Sequence, residues 1–461
     1  MTTAITLAYL VAAVLFILGL KQLSSPKGAR NGNFTAAVGM VIALGATLPL
    51  LHFTKAGLAI ILIGVVIGAA VGSVGARMVK MTAIPQMVAL FNGVGGGAAS
   101  LVAIAELLQF GVHPAFSEAF PSVFSIVIGS ISFAGSLVAF AKLQELMTGT
   151  PITYPGQQFV NGLLAVAIVG FAIAVLGVAS IPFSFLALMA LALVLGVAFV
   201  MPIGGADMPV VISLLNAFTG LAVAASGFTL HNFALIVAGT LVGASGSLLT
   251  KLMSDAMGRS LANVLFGAFG KVQAGATAAA GGPARSVRAG NAEDLGTLLA
   301  YSQRVIIVPG YGLAVAQAQH AARELAELLE KRGVEVTYAI HPVAGRMPGH
   351  MNVLLAEANV PYEQLKEMDE VNDEFKNADV ALIVGANDVV NPSARNSPGS
   401  PIYGMPILNA DQAKNIIFLK RSMRPGFAGI DNDLMYGPNT IMFFGDAKES
   451  LTKLVNAVKA A

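Results

Sequence analysis

The sequence predicts a chain of two parts: a polytopic bundle of about nine membrane-spanning α-helices, followed by an α/β domain with a doubly wound parallel sheet. Two observations support this prediction. The 461 residues are 56% hydrophobic and only 11% charged, whereas a soluble domain has about 25% charged residues. The pattern also changes along the chain, because long apolar segments give way after residue 290 to strand-like runs that alternate with helical patterns.

Residues 1–252 are expected to form the membrane domain, because each apolar segment is long enough to cross a hydrocarbon core about 30 Å thick. The segments lie near residues 4–22, 34–52, 57–76, 85–108, 120–146, 160–179, 182–201, 208–225 and 232–252. Residues 253–290 are rich in Ala and Gly and are expected to be a linker to the second domain, residues 291–461. The chain is therefore expected to be a multi-pass protein of the lipid bilayer.

Basic residues favour one orientation of the bundle. Lys55 stands almost alone in the loops on one side. The loops on the other side hold Lys21, Lys27, Arg30, Arg77, Lys80 and Lys142. Because positive charge marks the cytoplasmic side, we expect the N-terminus outside the cell membrane and the second domain in the cytoplasm. No basic region precedes the first apolar segment, so a membrane helix is favoured there over a cleaved signal peptide.

Composition also excludes several classes of function. Cysteine is absent, which excludes disulfides, thiolate metal sites and cysteine-ligated iron–sulfur clusters, and we predict no metal site. Any redox chemistry therefore needs a bound cofactor. The net charge is +2 and the basic residues form no stripe, so we expect no nucleic-acid partner.

Small residues predict close packing in the bundle. Gly64, Gly68 and Gly72 recur every four residues along one helix face, and residues 93–99 are almost all Gly or Ala. Small side chains let helix backbones approach closely. We expect both segments to pack helices together and not to act in transport directly.

Strand-like runs in the second domain lie at residues 304–308, 335–340, 379–384, 415–419 and 440–444. Helical patterns such as 313–332 and 446–458 separate them, which is typical of a parallel sheet. A glycine turn follows the first run, in Pro309-Gly310-Tyr311-Gly312. A strand, a glycine turn and a helix start in this order can hold the pyrophosphate of a dinucleotide. The chain has 50 glycines, so a purely structural turn is an equally open interpretation of this spacing.

Other loops follow strands at the edge where open α/β sheets bind ligands. The second strand ends at His341 with Arg346 nearby, where an NAD site usually has a carboxylate; a basic group suits a 2′-phosphate instead. The other candidate loops are Gly385-Ala386-Asn387-Asp388, Lys420-Arg421-Ser422 and Gly426-Phe427-Ala428-Gly429. The basic pair could equally be a solvated strand end, and the last loop could be a lid or an ordinary turn.

Polar residues inside the predicted membrane helices need an explanation, because polar groups are costly in lipid. The residues are Asn92, Ser136, Asp207, Ser213 and Asn216. The amides and hydroxyls are either hydrogen-bonding groups between helices or members of a transport path. Asp207 lies at a helix start, where it either caps the helix or takes part in function.

Eight longer strings narrow these alternatives. They are GGADMPVV (204–211), PGYG (309–312), AVAQAQ (314–319), HPVAGR (341–346), PGHMNVLLAEA (348–358), GAND (385–388), KRSM (420–423) and GDAK (445–448). With these strings in this order, the chain resembles the β subunits of the proton-translocating NAD(P)+ transhydrogenases over essentially its full length. Several long strings in one order make the resemblance specific.

The resemblance implies a Rossmann-like domain that binds NADP(H), and an α subunit of one or two chains that binds NAD(H). Hydride would pass directly from NADH to NADP+, coupled to inward proton movement through the membrane domain. The resemblance also implies that two αβ units form a dimer. This assignment agrees with the residues, because the chain has one glycine turn of this type and needs a partner for a second nucleotide.

The matching strings carry implied site residues. The pyrophosphate would face Gly310, Tyr311, Gly312, Ala314 and Val315. The rest of the nucleotide would be surrounded by Val343, Ala344, Gly345, Arg346, Gly385 and Asn387. The 2′-phosphate would be held by Lys420, Arg421 and Ser422, and the lid formed by Gly426, Phe427 and Ala428. Asp388 would lie near the nicotinamide as a catalytic residue.

Two positions depart from many relatives. Asn92 replaces a histidine that is thought to relay the proton, and an amide does not titrate near neutral pH. We hypothesise that Asn92, Ser136 and Asn216 hold a water chain, that another helix supplies the titrating group, and that Asp207 and the linker transmit the coupling. Phe427 replaces a tyrosine of the lid, which removes a hydroxyl and keeps an apolar cover.

Two other classes remain as alternatives. A redox-sensing channel or transporter, gated by its dinucleotide domain, predicts a pore signature such as Thr-Val-Gly-Tyr-Gly, and the sequence has none. A membrane-anchored NADPH dehydrogenase needs a flavin or quinone site, and no second nucleotide loop supports one.

Overall fold

A computed structural model describes residues 2–25, 28–50, 54–109, 115–148, 152–177, 184–204, 207–256, 260–262, 286–345, 349–398, 400, 402–426 and 428–461. The chain divides into two compact units, Met1–Thr250 and Lys251–Ala461. The first unit is helical and the second contains a parallel sheet. The predicted combination of a membrane bundle and a doubly wound α/β domain is therefore confirmed.

Nine helices begin in the described part of the first unit. They are α1 (Thr2–Leu23), α2 (Ala29–Thr47), α3 (Lys55–Met78), α4 (Ile84–Gln109), α5 (Phe116–Leu143), α6 (Gln157–Gly177), α7 (Ser184–Val200), α8 (Met208–Thr229) and α9 (Phe233–Ala256). Eight of them are long and apolar enough to cross a membrane. The ninth, α7, is an apolar helix of 17 residues, which is at the lower limit of about 17 for a crossing helix. Each helix overlaps one predicted segment.

Helix α5 packs against α4, α7 and α8 and, together with α8, is the most buried of the candidate membrane spans among the described residues. Glycines let α4 come this close: a Cβ added at Gly96 would lie 2.9 Å from the carbonyl oxygen of Gly129, and one at Gly93 would lie 3.2 Å from Ser136 Cβ. The predicted packing of residues 93–99 is thus confirmed.

For α3, the described residues contradict the same prediction. This helix has no buried residue. No described atom lies within 4 Å of a Cβ added at Gly64, Gly68 or Gly72. The spacing of the glycines shows only that one helix face lacks large side chains. The positions of the neighbouring helices decide whether another helix packs on that face.

The sheet of the second unit has six parallel strands in the order β3-β2-β1-β4-β5-β6. The strands are β1 (Arg304–Pro309), β2 (Glu335–Ile340), β3 (Leu365–Glu367), β4 (Val380–Val384), β5 (Asn415–Lys420) and β6 (Thr440–Phe444). Five were predicted within one residue at each end. The edge strand β3 was missed, because three residues with two charges show no strand pattern.

Helices cover both faces of this sheet. They are α10 (Ala292–Ala300), α11 (Tyr311–Val315), α12 (Gln319–Lys331), α13 (His350–Glu357), α14 (Met368–Val371), α15 (Ser393–Asn396) and α16 (Ala447–Ala460). Alternate residues of β1 belong to two cores: Val305 and Ile307 face the core that includes α12 and α16, and Ile306 faces the core around Phe375. The predicted helix 313–332 is two helices, because Gln317 has a left-handed backbone with φ of 50°.

The predicted linker contains regular structure at both ends. Helix α9 runs on to Ala256, and Ala289 pairs with Met442 of β6 in a parallel bridge. The N–H of Gly290 donates to the Met442 carbonyl at 2.9 Å. Residues 257–259 and 263–285, the centre of that segment, lie outside the described part of the chain.

Candidate functional site

The direction of strand order reverses between β1 and β4, which are neighbours in the sheet. At such a reversal the loops at the carboxyl ends of the two strands turn to opposite sides and leave a crevice. The loops here begin at Gly310 and at Gly385, and both were predicted from sequence to belong to the site. The fold therefore brings two of the predicted loops together.

These two glycine turns pack backbone to backbone. The N–H of Gly310 donates to the Val384 carbonyl, and the N–H of Gly312 donates to the Gly385 carbonyl, both at 2.9 Å. A Cβ added at Gly310 would lie 2.4 Å from Ala386 Cα. Gly385 has φ of +68°, and a Cβ there would lie 2.4 Å from the nitrogen of Leu313. The glycines are needed for this close approach, and their two N–H groups hold the turns together.

The residues that follow this turn separate into buried and accessible ones. Ala314 is buried in the core below, so its side chain does not face the crevice. Val315 is 47% exposed. The ring of Tyr311 lies 6.2 Å from the ring of His350, at the start of α13.

The loop after β2 is organised by His341, which is fully buried. Its Nδ1 accepts the N–H of Val343 at 3.2 Å, so Nε2 carries the hydrogen and donates to the Pro406 carbonyl at 2.8 Å. Burial lowers the pKa of His341 and so keeps the ring neutral, although the hydrogen bond to Pro406 acts in the opposite direction. His341 thus positions two loops and is not a cation available to a phosphate.

Residues 343–345 continue this loop. Val343 is half-buried and Ala344 is buried. Gly345 has φ of +108°, and a Cβ there would lie 2.5 Å from Nδ1 of His350, so only glycine suits this turn. The predicted site residue Arg346 lies outside the described residues.

The loop after β4 is joined to the predicted lid. The carboxylate Oδ2 of Asp388 accepts the N–H of Ala428 at 2.9 Å. A Cβ added at Gly426 would lie 2.3 Å from Nδ2 of Asn387. Both lid residues therefore lie directly against the Asn387–Asp388 turn. Phe427 lies outside the described residues.

Basic and hydroxyl groups stand at the end of β5. Lys420 is half-buried, with Nζ 3.8 Å from the Met435 sulfur. Burial lowers the pKa of Lys420, while the nearby carboxylates of Asp388 and Asp431 act in the opposite direction. Arg421 and Ser422 are exposed. The strand end therefore offers two basic side chains and a hydroxyl, and Lys420 among them lies near Asp388.

Asn432 is a site residue that sequence reasoning missed. It is fully buried, and its Nδ2 donates to the backbone oxygen of Asn387 at 3.0 Å and to its side-chain Oδ1 at 3.1 Å. These two bonds fix the side-chain amide of Asn387. The Nδ2 of Asn387 is buried and has no partner among the described residues. A lone Asn between Asp431 and Asp433 resembles a surface turn, so no sequence signal marks its role.

In the first unit, Asn92 and Ser136 form a buried cluster with two further hydroxyls. Nδ2 of Asn92 donates to Ser136 Oγ at 2.9 Å and lies 3.3 Å from Ser132 Oγ. Ser132 Oγ is 2.6 Å from Thr219 Oγ1 and donates to the Leu215 carbonyl at 2.8 Å. Oδ1 of Asn92 has no hydrogen-bond partner among the described residues. The cluster joins α4, α5 and α8.

The sequence predicted Asn216 for this cluster, whereas the structure places Thr219 there. Asn216 is half-buried on α8, and no hydrogen bond joins it to the described members of the cluster. Ser132 could have been found from sequence, because it lies one helical turn before Ser136 on the same face. Ser213 instead bonds to the Gly246 carbonyl of α9 at 3.1 Å. Asp207 occupies the N-cap position of α8 but makes no side-chain capping hydrogen bond.

Known proteins match this chain over nearly its whole length. The family model of the NAD(P) transhydrogenase beta subunit matches residues 5–457. The NAD(P) transhydrogenase subunit beta of Rhodospirillum rubrum is 51% identical over 468 aligned positions, covering 99% of this chain and 100% of that protein. The protein of the same name from a defined strain of that organism matches to the same extent. The chain belongs to the NAD(P) transhydrogenase beta-subunit family.

Membership in this family has two direct consequences. The family is named for the transhydrogenation reaction, so the chain is part of an enzyme that uses nicotinamide dinucleotides. A beta subunit also implies an alpha subunit as its partner. The paired glycine turns and the buried cluster of Asn92, Ser132, Ser136 and Thr219 are therefore interpreted as parts of one component of a complex.

Proposed function

We propose that the second unit binds NADP(H) in the crevice between β1 and β4. The observation that carries this proposal is the contact between the Gly310 turn and the Gly385 turn at the reversal of strand order. A backbone without side chains at this edge lets a pyrophosphate approach closely, beside Tyr311 and Val315. Ala314 contributes packing beneath this surface.

The residues at the crevice suit NADP(H). A 2′-phosphate carries about two negative charges, which match Lys420 and Arg421, with Ser422 as an additional donor. Nδ2 of Asn387, which has no partner in the described part of the chain, is a buried donor suited to an oxygen of the cofactor. We include Arg346 in the binding loop and Phe427 in the lid, together with Val343, Gly345, Gly426 and Ala428.

When bound, NADP+ supplies the nicotinamide ring that accepts hydride. Asp388 acts beside it by holding the lid through Ala428, and a closed lid excludes water from the ring. Because the chain has one glycine turn of this type, we assign NAD(H) to the alpha subunit, in one or two chains. Direct transfer then requires the two nucleotides to meet at the surface between subunits.

We propose that residues 1–252, the predicted membrane domain, conduct protons inward and drive NADP+ reduction. The NAD+/NADH and NADP+/NADPH couples have nearly equal reduction potentials, so hydride transfer alone does not accumulate NADPH. One proton entering down about 170 mV supplies about 4 kcal/mol, at about 2.3 kcal/mol per 100 mV. That energy corresponds to about a thousandfold bias towards NADPH.

The Asn92 cluster supports this path. Oδ1 of Asn92 is a buried acceptor with no partner among the residues that the structure describes, so it needs a donor, which is water or a protonated side chain from another helix. We propose that the titrating group is a histidine of the complex, and that Asn216 lines the water on its own face of α8. Proton pumping that persists after removal of every membrane-buried histidine of the complex would contradict this assignment.

Proton binding must change the affinity for NADP(H), because coupling is a difference in free energy between two states. We propose that Asp207 and residues 253–290 transmit this change to residues 291–461. The N-terminus lies outside and the second unit in the cytoplasm, and two αβ units form a dimer. Cross-linking residues 253–290 to the first unit should abolish coupled turnover.

The deciding experiment reconstitutes this chain with its alpha subunit in lipid vesicles. We expect NADH to reduce an NADP+ analogue only when both subunits are present, with proton movement across the vesicle membrane. Proton or ion flux without hydride transfer would favour a redox-sensing channel. NADPH oxidation by this chain alone would favour a membrane-anchored dehydrogenase.

A further inference from the structure

Lys142 is a buried cation that the proposed proton path does not use. It lies in the last turn of α5, and 3% of its surface is exposed. Its ammonium donates to three backbone carbonyls: Ile203 at 2.7 Å, Met201 at 2.5 Å and Val200 at 3.5 Å. These carbonyls belong to the end of α7 and to the connection between α7 and α8.

Neutral donors already serve the end of α7. Nε2 of Gln157 and Nδ2 of Asn161 each lie 3.4 Å from the Ala198 carbonyl, and the N–H of Ile152 donates to the Met201 carbonyl at 3.1 Å. A neutral side chain at position 142 would add one more such cap without burying a charge. Burying an ammonium is costly, and a cation inside a membrane protein usually has a function.

The position of Lys142 joins two parts of the proposed coupling mechanism. Six residues earlier on the same helix, Ser136 accepts from Asn92 in the buried cluster. On the other side, Ile203 leads within four residues to Asp207, the N-cap residue of α8. Nε2 of Gln86, at the start of α4, donates to the Leu143 carbonyl at 3.1 Å. One end of α5 therefore holds α4 and the α7–α8 connection together.

We propose that Lys142 is a positioning residue for energy coupling. It fixes the α7–α8 connection to α5, so a displacement of α5 at the Asn92 cluster moves the segment that carries Asp207. This inference rests on the proposed function, in which proton binding at the cluster changes NADP(H) affinity. It assigns no proton transfer to Lys142 itself.

The test uses the full complex with the alpha subunit in vesicles and the variant Lys142→Met. Methionine keeps an unbranched side chain of similar length and removes the charge and all three donors. Two rates are measured: proton-coupled reduction of NADP+ by NADH, and hydride exchange from NADH to an NAD+ analogue through NADP(H) that stays bound. The second rate needs no proton movement.

We expect Lys142→Met to lower the coupled rate at least about tenfold, within the span of about 5–150-fold typical of coupling free energies, and to leave exchange within about twofold. Lys142→Arg keeps the charge and donors and should restore part of the coupled rate. The matched control is Lys251→Met, whose side chain is 71% exposed and lies 3.4 Å from Asp255; both rates should be unchanged.

Equal loss of the two rates in Lys142→Met, with normal amounts of protein in the membrane, would overturn the proposal. An unchanged coupled rate would also overturn it. If Lys142→Met does not accumulate, the comparison of Lys142→Arg with wild type decides: a selective loss of the coupled rate supports the proposal, and an equal loss of both rates contradicts it. Failure of the proposed function itself would appear differently, as a wild-type complex without any proton-coupled rate.

Discussion

Glycine brings segments into close contact in both units, but the groups that it brings together differ. In the second unit, Gly310 and Gly385 bring two backbone turns together at the ends of β1 and β4. In the first unit, Gly93 and Gly96 bring α4 onto α5, and the groups that meet are side chains such as Asn92 and Ser136.

The difference follows from how each element uses its backbone. A membrane helix satisfies its own N–H and C=O groups, so polar chemistry within it must come from side chains. Strands end at the sheet edge, where loops carry backbone groups and charged side chains to a ligand. The two proposed sites therefore respond to substitution in different ways.

The largest effect is expected from Gly310→Ala, which tests the backbone contact in the second unit. The added Cβ would lie 2.4 Å from Ala386 Cα and would separate the two turns. Titration calorimetry should show that NADP+ affinity falls at least about a hundredfold, or about 2.8 kcal/mol.

Gly333→Ala is the matched control for this substitution. Gly333 has φ of +82° and no described atom within 4 Å of an added Cβ, so alanine causes local strain of about 1–2 kcal/mol without reaching the crevice. Affinity should then stay near wild type. A similar loss in both variants would show that general destabilisation is responsible.

In the first unit, Ser132→Ala tests whether the side-chain cluster acts in transport. The change removes a partner from both Asn92 and Thr219, at about 1–3 kcal/mol for a buried polar group left unpaired. We expect proton-coupled turnover in vesicles to fall about tenfold. Ser213→Ala, which removes a hydroxyl bonded to α9, should have a much smaller effect, and equal effects would indicate that both hydroxyls only join helices.

Asp388→Asn tests the connection between the β4 turn and the lid. The carboxylate accepts the N–H of Ala428, and hydrogen bonds to charged groups contribute about 1.5–3 kcal/mol. An amide oxygen still accepts this bond, more weakly. Stopped-flow fluorescence should therefore show NADPH release that is about three- to tenfold faster. The control is Asp373→Asn, at a 92% exposed carboxylate. An unchanged rate of NADPH release in Asp388→Asn would contradict the proposal that Asp388 holds the lid.

The smallest effect concerns His341, whose pKa is lowered in the folded chain. The unfolded chain takes up the proton near its ordinary pKa of about 6.5. Stability therefore falls as the pH drops below about 6.5, with a slope of at most about 1.4 kcal/mol per pH unit.

His341→Gln keeps a donor for the Pro406 carbonyl and does not titrate. Circular dichroism of the full chain should show a thermal midpoint that is a few degrees lower at pH 7.5 and less dependent on acid than in wild type. His320→Gln, at an exposed position on α12, should keep the wild-type dependence. If the thermal midpoints of His341→Gln and wild type depend on pH in the same way, His341 is not the cause of the loss of stability in acid.

Much of the second unit could be predicted because its strands are continuous apolar runs between helical patterns. The loops of the site follow from where those runs end. Asn432 could not be predicted, because its two bonds to Asn387 join residues 45 positions apart. In the first unit, the length of the apolar segments located each described helix, whereas the choice of Thr219 over Asn216 depends on how α8 is rotated against α5.

The sequence by itself determined that this chain combines a membrane bundle with a doubly wound α/β domain, and it determined the family through eight ordered strings. The length of an apolar segment and the spacing of its apolar residues are local properties, so both can be read from the sequence. Only the tertiary structure decided which faces meet. It left Gly64, Gly68 and Gly72 of α3 without neighbours among the described residues, placed the Gly310 turn against Gly385, and set the ammonium of Lys142 on the end of α7. Such contacts depend on the rotation and separation of packed elements, which no local pattern specifies.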